Sequence, residues 1–216
     1  MTDLAAARRT MVENQLRTYD VTDQVLLAAF EVVPREAFAD PSQPALVYLD
    51  RDVVARDGRS RLLAPMVLAR MIQSLELNKG EKVLDVGGAG YGAAVMAAAG
   101  VQPVALAPAE SADVVRASLA EAGFGAVPVV AGDLAAGAPA QGPFDAILVH
   151  GATDVEPAAL LAQLKEDGAL AIVLGRGRSG RATLYRRVGD AFSKARVFDA
   201  AAPLLAGFER KAEFAF

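Results

Sequence analysis

The chain of 216 residues has no cysteine, no tryptophan and a single histidine. Without cysteine, disulfide bonds and thiolate chemistry are excluded, and one histidine leaves too few nitrogen and sulfur ligands for a structural zinc site, so we predict no metal. No apolar run approaches membrane-spanning length, and the first ten residues hold an acid and two arginines where a signal peptide needs an apolar core. These absences predict a cytoplasmic protein that does not bind membranes.

An excess of basic residues is also missing. The chain carries 22 lysines and arginines against 26 aspartates and glutamates, which gives a net charge of -4. A surface of this charge is not built to neutralise phosphates, so we predict no nucleic-acid partner. Apolar residues make up 53% of the chain, which is enough to bury a substantial core and predicts one compact domain.

From residue 82 onward, short β-branched runs alternate with alanine-rich stretches, as in parallel strands joined by covering helices. This pattern predicts strands at 82–86, 103–106, 127–130, 146–149 and 169–174, with helices at 91–99, 110–121 and 157–164. Two later segments, 182–188 and 208–216, alternate apolar with polar residues. They predict an antiparallel hairpin at the end of a mostly parallel sheet.

The first 80 residues differ from the rest. Helices are predicted at 5–16, at 22–32 and at 65–75, where Pro65 suits a first helical position, with an irregular segment at 40–63 between the last two. We therefore expect residues 1–80 to form a helical and looped region packed on an α/β region at 81–216. Such a region serves either as a substrate-side lid or platform, or simply as packing on the sheet, and the pattern leaves both open.

The stretch V-L-D-V-G-G-A-G-Y at 83–91 places glycines between a predicted strand and a predicted helix. In nucleotide-cofactor turns, glycines let backbone N–H groups and a helix N-terminus approach a ligand. A dinucleotide site also needs an acid about twenty residues further on, to hold the ribose hydroxyls. The next predicted strand ends A-L-A-P-A, with no carboxylate before Glu110, so the turn is predicted to lack this ribose contact.

Four further segments carry a family resemblance. They read M-V-E-N-Q-L-R at 11–17, V-T-D-Q-V-L-L-A-A-F-E-V-V-P-R-E-A-F at 21–38, P-F-D-A-I-L-V at 143–149 and P-A-A-L-L-A-Q-L-K-E-D-G-A-L at 157–170. In this order and spacing they resemble protein-L-isoaspartate O-methyltransferases. The resemblance implies a three-layer, Rossmann-like α/β/α methyltransferase sheet with S-adenosylmethionine as methyl donor. It also implies methylation of the free α-carboxylate of isoaspartyl residues, so the partners would be isoaspartyl-containing proteins or peptides.

The same resemblance assigns the cofactor-binding residues. The turn would contribute Asp85, which matches the acid of the family motif, together with Gly87, Gly88 and Gly90. Asp133, in A-G-D-L, matches the acid that approaches the adenine. A plain turn aspartate after the third predicted strand is the alternative reading of Asp133.

Three departures from the family pattern fall where the chemistry is expected. The family turn reads E-I-G-T-G-S-G-Y, so D-V-G-G-A-G-Y is one residue shorter, and the ribose-binding acid aligns with Ala107 or Pro108. In S-R-L-L-A-P, at 60–65, Leu63 stands at the position of the family's substrate-loop hydroxyl, so no catalytic residue is assigned. Losing the ribose contact alone costs about 1–3 kcal/mol. Donor binding and repair catalysis are therefore predicted to be impaired or absent.

Three functions stay open at this point. The chain is a working repair methyltransferase with altered loops, a non-catalytic member that binds or regulates an unknown protein partner, or a methyltransferase for a different substrate. Two other features have alternatives as well. His150 is either a general base at the end of a strand or a buried residue with its hydrogen bonds satisfied, and the arginine-rich segment 175–187 either binds an acidic partner or is a solvated loop.

Overall fold

The computed structural model describes residues 3–210. A two-stranded hairpin, β1 (Val53–Val54) and β2 (Arg61–Leu62), precedes the main sheet. The seven strands of the main sheet are β3 (Lys82–Val86), β4 (Gln102–Ala107), β5 (Val129–Ala131), β6 (Phe144–Thr153), β7 (Leu164–Leu174), β8 (Arg181–Val188) and β9 (Ala191–Asp199). Their order across the sheet is β5-β4-β3-β6-β7-β8-β9, with β3 to β7 parallel and β8 and β9 antiparallel.

Helices cover both faces of this sheet. They are α1 (Leu4–Met11), α2 (Gln24–Val32), α3 (Pro65–Ser74), α4 (Tyr91–Ala98), α5 (Ala112–Glu121) and the short α6 (Ala158–Leu161). Alternate strand residues point to opposite sides, so Val83 and Leu148 pack with helices α2 to α5, whereas Leu84 and Ile147 pack with α6. The predicted three-layer α/β/α fold is confirmed.

The order of the strands creates one special position. From strand β3 the chain moves outward through β4 to β5, and it then returns to the other side of β3 as β6. In open α/β sheets, ligands bind at the carboxyl ends of the strands where the winding direction reverses. This position lies between the ends of β3 and β6, and the glycine turn follows β3 directly.

Most predicted elements coincide with observed ones, and the strand predicted at 82–86 matches β3 to the residue. The helix predicted at 157–164 was too long, because Leu164 already pairs with Phe144 as the first residue of β7. The helix is therefore limited to Ala158–Leu161, because the backbone of Leu164 pairs with β6 in the sheet.

The predicted antiparallel C-terminal hairpin is confirmed, but its second strand is a different segment from the predicted one. Its first strand is β8, but the partner is β9, which follows after a two-residue connection and pairs Val188 with Ala191. The prediction of a strand at 208–216 falls mostly outside the described residues, and Phe208 itself is buried but not in a strand. The short connection between β8 and β9 closes with little loss of chain entropy. The sequence pattern did not predict β9, because eight of its nine residues are exposed and many are polar.

The N-terminal helices share a core with the sheet. Asp23 caps α2 by accepting hydrogen bonds from the N–H groups of Val25 and Leu26, at 2.8 and 3.1 Å. From α2 and the segment after it, Phe30 and Phe38 reach the ring of Tyr91, the first residue of α4, with ring centroids 6.1 and 5.6 Å apart. The start of α4, next to the glycine turn, is thereby fixed by aromatic contacts from the N-terminal third.

Asp145 in β6 joins three strands near their starts. Its Oδ2 accepts a hydrogen bond from the Lys82 N–H at 2.8 Å, and both oxygens accept from Lys165 Nζ at 2.8 Å. Burial alone would raise the pKa of Asp145, but the hydrogen bonds from Lys165 and Lys82 outweigh it and hold that pKa below the ordinary value of 3.8. A lowered carboxyl pKa stabilises the fold above the unfolded-state pKa, and the stabilisation is lost as the pH falls through the folded-state value.

We therefore expect Asp145→Asn to lower the free energy of unfolding by about 1–2 kcal/mol at pH 7, because a charge-assisted hydrogen bond is lost. The difference from wild type should shrink below about pH 4, where the wild-type carboxylate begins to protonate. Urea unfolding of both proteins, at pH 7 and below about pH 4, measures this difference in the free energy of unfolding. Glu13→Gln, which removes an exposed carboxylate paired with Arg17, is the control and should change nothing measurable. A destabilisation of Asp145→Asn that is equal at both pH values would contradict the assignment.

Candidate functional site

The turn after β3 has the backbone shape that its glycines predict. Gly87 and Gly90 have φ angles of +75° and +86°, and Ala89 between them is also left-handed, with φ of +49°. Glycine adopts this region without a steric penalty, whereas alanine does not. The turn is closed by the N–H of Tyr91, which donates to the Gly88 carbonyl at 3.1 Å. Helix α4 therefore begins with its N-terminus at the carboxyl edge of the sheet.

Asp85, the acid before the turn, is paired with the only histidine of the chain. The Nε2 of His150, on β6, donates to Oδ1 of Asp85 at 2.5 Å, and the two side chains are 1% and 0% exposed. The other carboxylate oxygen, Oδ2, is buried and has no hydrogen-bond partner among residues 3–210. A buried carboxylate is costly without a partner, so the imidazole holds Asp85 in place.

The imidazole of His150 also fills the space above the turn. A Cβ atom added to Gly88 would lie 2.6 Å from the ring, and one added to Gly92, in the first turn of α4, would lie 2.5 Å from it. Both distances are shorter than any real contact of a Cβ atom, so neither position has room for a side chain. The close approach that these glycines permit is made by His150.

A second segment crosses the same edge. We call residues 200–208 the C-terminal strap. It runs beside the end of β6, where the N–H of Ala152 donates to the Pro203 carbonyl at 2.7 Å and the N–H of Leu205 donates to the Ala152 carbonyl at 3.0 Å. The side chain of Leu205 lies 3.1 Å from where a Cβ of Gly87 would be. The strap therefore packs directly against the glycine turn.

The space left at this edge is a cavity of about 220 Å³. Its lining comes from the glycine turn, the segment after β4, the loop before β2, His150 and the strap, and includes Gly87, Pro108, Glu110, Ser111, Ser60 and Leu205. The strap was not anticipated, because it carries no motif. Arg59 and Arg61 were not anticipated either, although Arg61 lies in the quoted segment at 60–65. Folding the chain was needed to bring them together.

The sequence-predicted cofactor residues are not all together. Gly87 lines the cavity, whereas Asp85 lies beneath His150. Asp133 is exposed, and its Oδ1 accepts a hydrogen bond from the N–H of Ala135 at 2.9 Å, which is the geometry of a turn aspartate. Ala107 ends β4 and is buried, so the edge has no carboxylate at the position where the resemblance places the ribose-binding acid.

The segment at 60–65, which the family resemblance aligns with a substrate loop, is held by a buried arginine. Arg35 is fully buried, and its Nε and Nη2 donate to the carbonyls of Val47 and Leu63, both at 2.8 Å. Its guanidinium also lies over the ring of Tyr91, 5.0 Å from the centroid, and burial lowers the pKa of Arg35. The Leu63 side chain is fully buried in the core, so the loop presents no hydroxyl at this position.

Among residues 3–210, no cluster of three or more histidine, aspartate or glutamate side chains has the arrangement of a metal site. None of the helices described is both long enough and apolar enough to cross a membrane. The arginines of the segment 175–187 are largely engaged within the chain, for example Arg176 with Asp154 and Arg186 with Glu76. These arginines are therefore arranged as in a solvated loop whose charges are paired within the chain.

A seven-stranded sheet with this winding and a glycine turn after β3 defines a Rossmann-like methyltransferase fold. The family model for protein-L-isoaspartate(D-aspartate) O-methyltransferase (PCMT) matches residues 7–201. The chain belongs to the protein-L-isoaspartate O-methyltransferase family, as the sequence segments indicated.

Individual relatives agree with this assignment. The chain is 42% identical over 193 residues to a protein-L-isoaspartate O-methyltransferase of Methylorubrum extorquens, covering 88% of this chain and 84% of the relative. It is 41% identical over 180 residues to one of Anaeromyxobacter, covering 82% and 72%.

Solved structures show the same fold. A protein-L-isoaspartate O-methyltransferase structure superimposes with a TM-score of 0.80 at 28% identity, covering 92% of this chain but only 66% of that longer one. A Plasmodium falciparum protein described as a β-aspartate methyltransferase, in complex with S-adenosyl-L-homocysteine, gives 0.75 at 20% identity and covers 92% and 97%.

We expect Arg35 to be essential for the folded position of the segment that contains Leu63. In Arg35→Met the carbonyls of Val47 and Leu63 lose their donors inside the protein, so the free energy of unfolding should fall by about 3 kcal/mol or more. Urea unfolding monitored by circular dichroism gives the value. Arg9→Met, at an exposed position of α1, is the matched control and should behave as wild type. If Arg35→Met were as stable as wild type, the loop would have to be held by other contacts.

Tyr91 provides a test by pH. Burial raises the pKa of Tyr91 from 10.0 to about 12, even though the Arg35 charge opposes the shift. Because burial disfavours the phenolate, the unfolded chain ionises at a lower pH than the folded one, and stability is lost as the pH rises above the unfolded-state pKa. Relative to Tyr91→Phe, the wild type should therefore lose about 1 kcal/mol of stability between pH 8 and pH 11. Parallel stability curves for the two proteins over this range would contradict the assignment.

Proposed function

We propose that this chain is a member of its family in which binding of S-adenosylmethionine and repair of isoaspartyl residues are impaired or absent, and which acts by binding or regulating a protein partner. One observation carries the proposal. His150 and Leu205 fill the space over the glycine turn and leave about 220 Å³, which is below the roughly 300–1,000 Å³ typical of small-molecule sites. The residues present do not fit the donor in this arrangement.

The substrate side supports the same proposal. A carboxylate is already ionised at neutral pH, so the enzyme must mainly position it against the methyl group. The buried Leu63 can neither donate a hydrogen bond to a carboxylate nor reach one. The Ser60 hydroxyl lies at the cavity but donates to Asp57 at 2.6 Å, so it is already engaged.

A working repair methyltransferase is the second candidate. It is favoured by the 42% identity to a relative with that name and by the presence of Asp85, Gly87 and Gly90 at the turn. Isoaspartyl-containing proteins or peptides would then be the substrates, and the donor would require His150 and Leu205 to move. Under either candidate we place the protein in the cytoplasm.

Calorimetric titration of the purified chain with S-adenosylmethionine, and separately with S-adenosylhomocysteine, distinguishes the two candidates. The proposal predicts no binding heat and no rise in melting temperature at millimolar ligand, because the site is filled by the chain's own side chains. Methyl transfer to an isoaspartyl peptide should then stay at the level of a reaction without protein.

The Methylorubrum extorquens relative, titrated in the same buffer, is the positive control for the ligands and the assay. Micromolar binding by this chain, together with methylation of the peptide, would establish the second candidate. Micromolar binding without methylation would leave only the catalytic half of the proposal standing.

A further inference from the structure

His150 combines two properties at the sheet edge. Its ring lies within 2.6 Å of the positions where Gly88 and Gly92 would carry a Cβ, so it occupies the volume that the bare backbone leaves free. It also donates a hydrogen bond to Oδ1 of Asp85, whose Oδ2 has no partner among residues 3–210. One side chain of β6 thus both fills the space over the turn and hydrogen-bonds the buried Asp85.

A donor molecule would need both the space over the turn and the carboxylate of Asp85. An amino-acid moiety placed over a glycine turn requires free space beside the backbone, and its ammonium group requires a carboxylate partner. At this turn the buried carboxylate is Asp85, whose Oδ1 is taken by His150. An amino-acid moiety placed over these glycines would take the position of the imidazole. It therefore binds only after the ring has moved away.

The surroundings hold His150 where it is. Its side chain is 1% exposed, and the next residues of β6 are tied to the C-terminal strap through the backbone of Ala152. Gly151 also lies close under the strap, since a Cβ there would be 2.9 Å from the Cβ of Leu205. The ring is therefore almost completely shielded from solvent in this arrangement.

We propose that His150 is the residue that excludes the methyl donor from the glycine turn. One side chain then determines whether the donor can bind at this site. The inference rests on the proposed function and makes it more specific. It assigns the exclusion to the imidazole that lies over the turn, and not to the missing residue of the turn or to the missing ribose-binding acid.

The test is the affinity of His150→Ala for S-adenosylhomocysteine, measured by calorimetry and by thermal shift next to wild type. Removing the ring frees the space above Gly88 and Gly92 and leaves Asp85 available for the ligand's ammonium group. We expect the variant to bind at least tenfold more tightly than wild type. The control is Ile147→Ala, which removes buried volume from β6 on the opposite face, toward α6, and should leave the affinity unchanged.

Because His150→Ala leaves a buried carboxylate without its partner, a second variant guards against misfolding. His150→Asn retains an N–H donor for Asp85 in a smaller volume, and it should give a smaller gain in affinity. Far-ultraviolet circular dichroism verifies that each variant is folded. Folded variants with wild-type affinity would overturn the proposal.

The wild type adds an independent readout. Since His150 is the only histidine of the chain, its imidazole resonances in a proton NMR spectrum are unambiguous. Any donor that binds at the turn must displace the ring and shift these resonances. Binding that leaves them unchanged would overturn the proposal, whereas tight binding by wild type would instead contradict the proposed function.

Discussion

The buried pair of Asp85 and His150 is the constraint around which the sheet edge is arranged. A carboxylate with almost no solvent exposure must have a hydrogen-bond donor, and this chain provides one from a neighbouring parallel strand. The ring needs room, which Gly88 and Gly92 provide because they have no side chains. Strand β3, strand β6 and helix α4 thereby meet at one point, where Gly88 and Gly92 leave room for the ring.

The alternation of strands and helices was predictable, because burial on both faces of a parallel sheet leaves long apolar runs that glycine interrupts. Strand β3 and helix α4 were therefore placed within a residue of their observed bounds. Strand β9 was missed, since an exposed edge strand has no apolar pattern to detect. The family segments succeeded where periodicity is weak, because their order and spacing carry information that composition does not.

The site was predictable only in part. The turn and Asp85 could be located from their motif, and the missing hydroxyl at Leu63 was visible as a substitution. The partner of Asp85 could not be read from the sequence, because His150 is 65 residues away and the parallel pairing of β3 with β6 brings the two together. The strap was missed for a related reason, since residues 200–207 were assigned to no element and the strap binds the sheet edge through backbone groups.

The sheet ends at one side in β9, whose outer edge pairs with no other strand of residues 3–210. Free backbone N–H and C=O groups along such an edge are a template for another chain, and a long bare edge favours aggregation. This edge carries Lys194, Arg196 and Asp199, the last two joined in an ion pair. Charges held at the rim oppose pairing between copies, so the colloidal behaviour of the protein depends on a strand remote from the glycine turn.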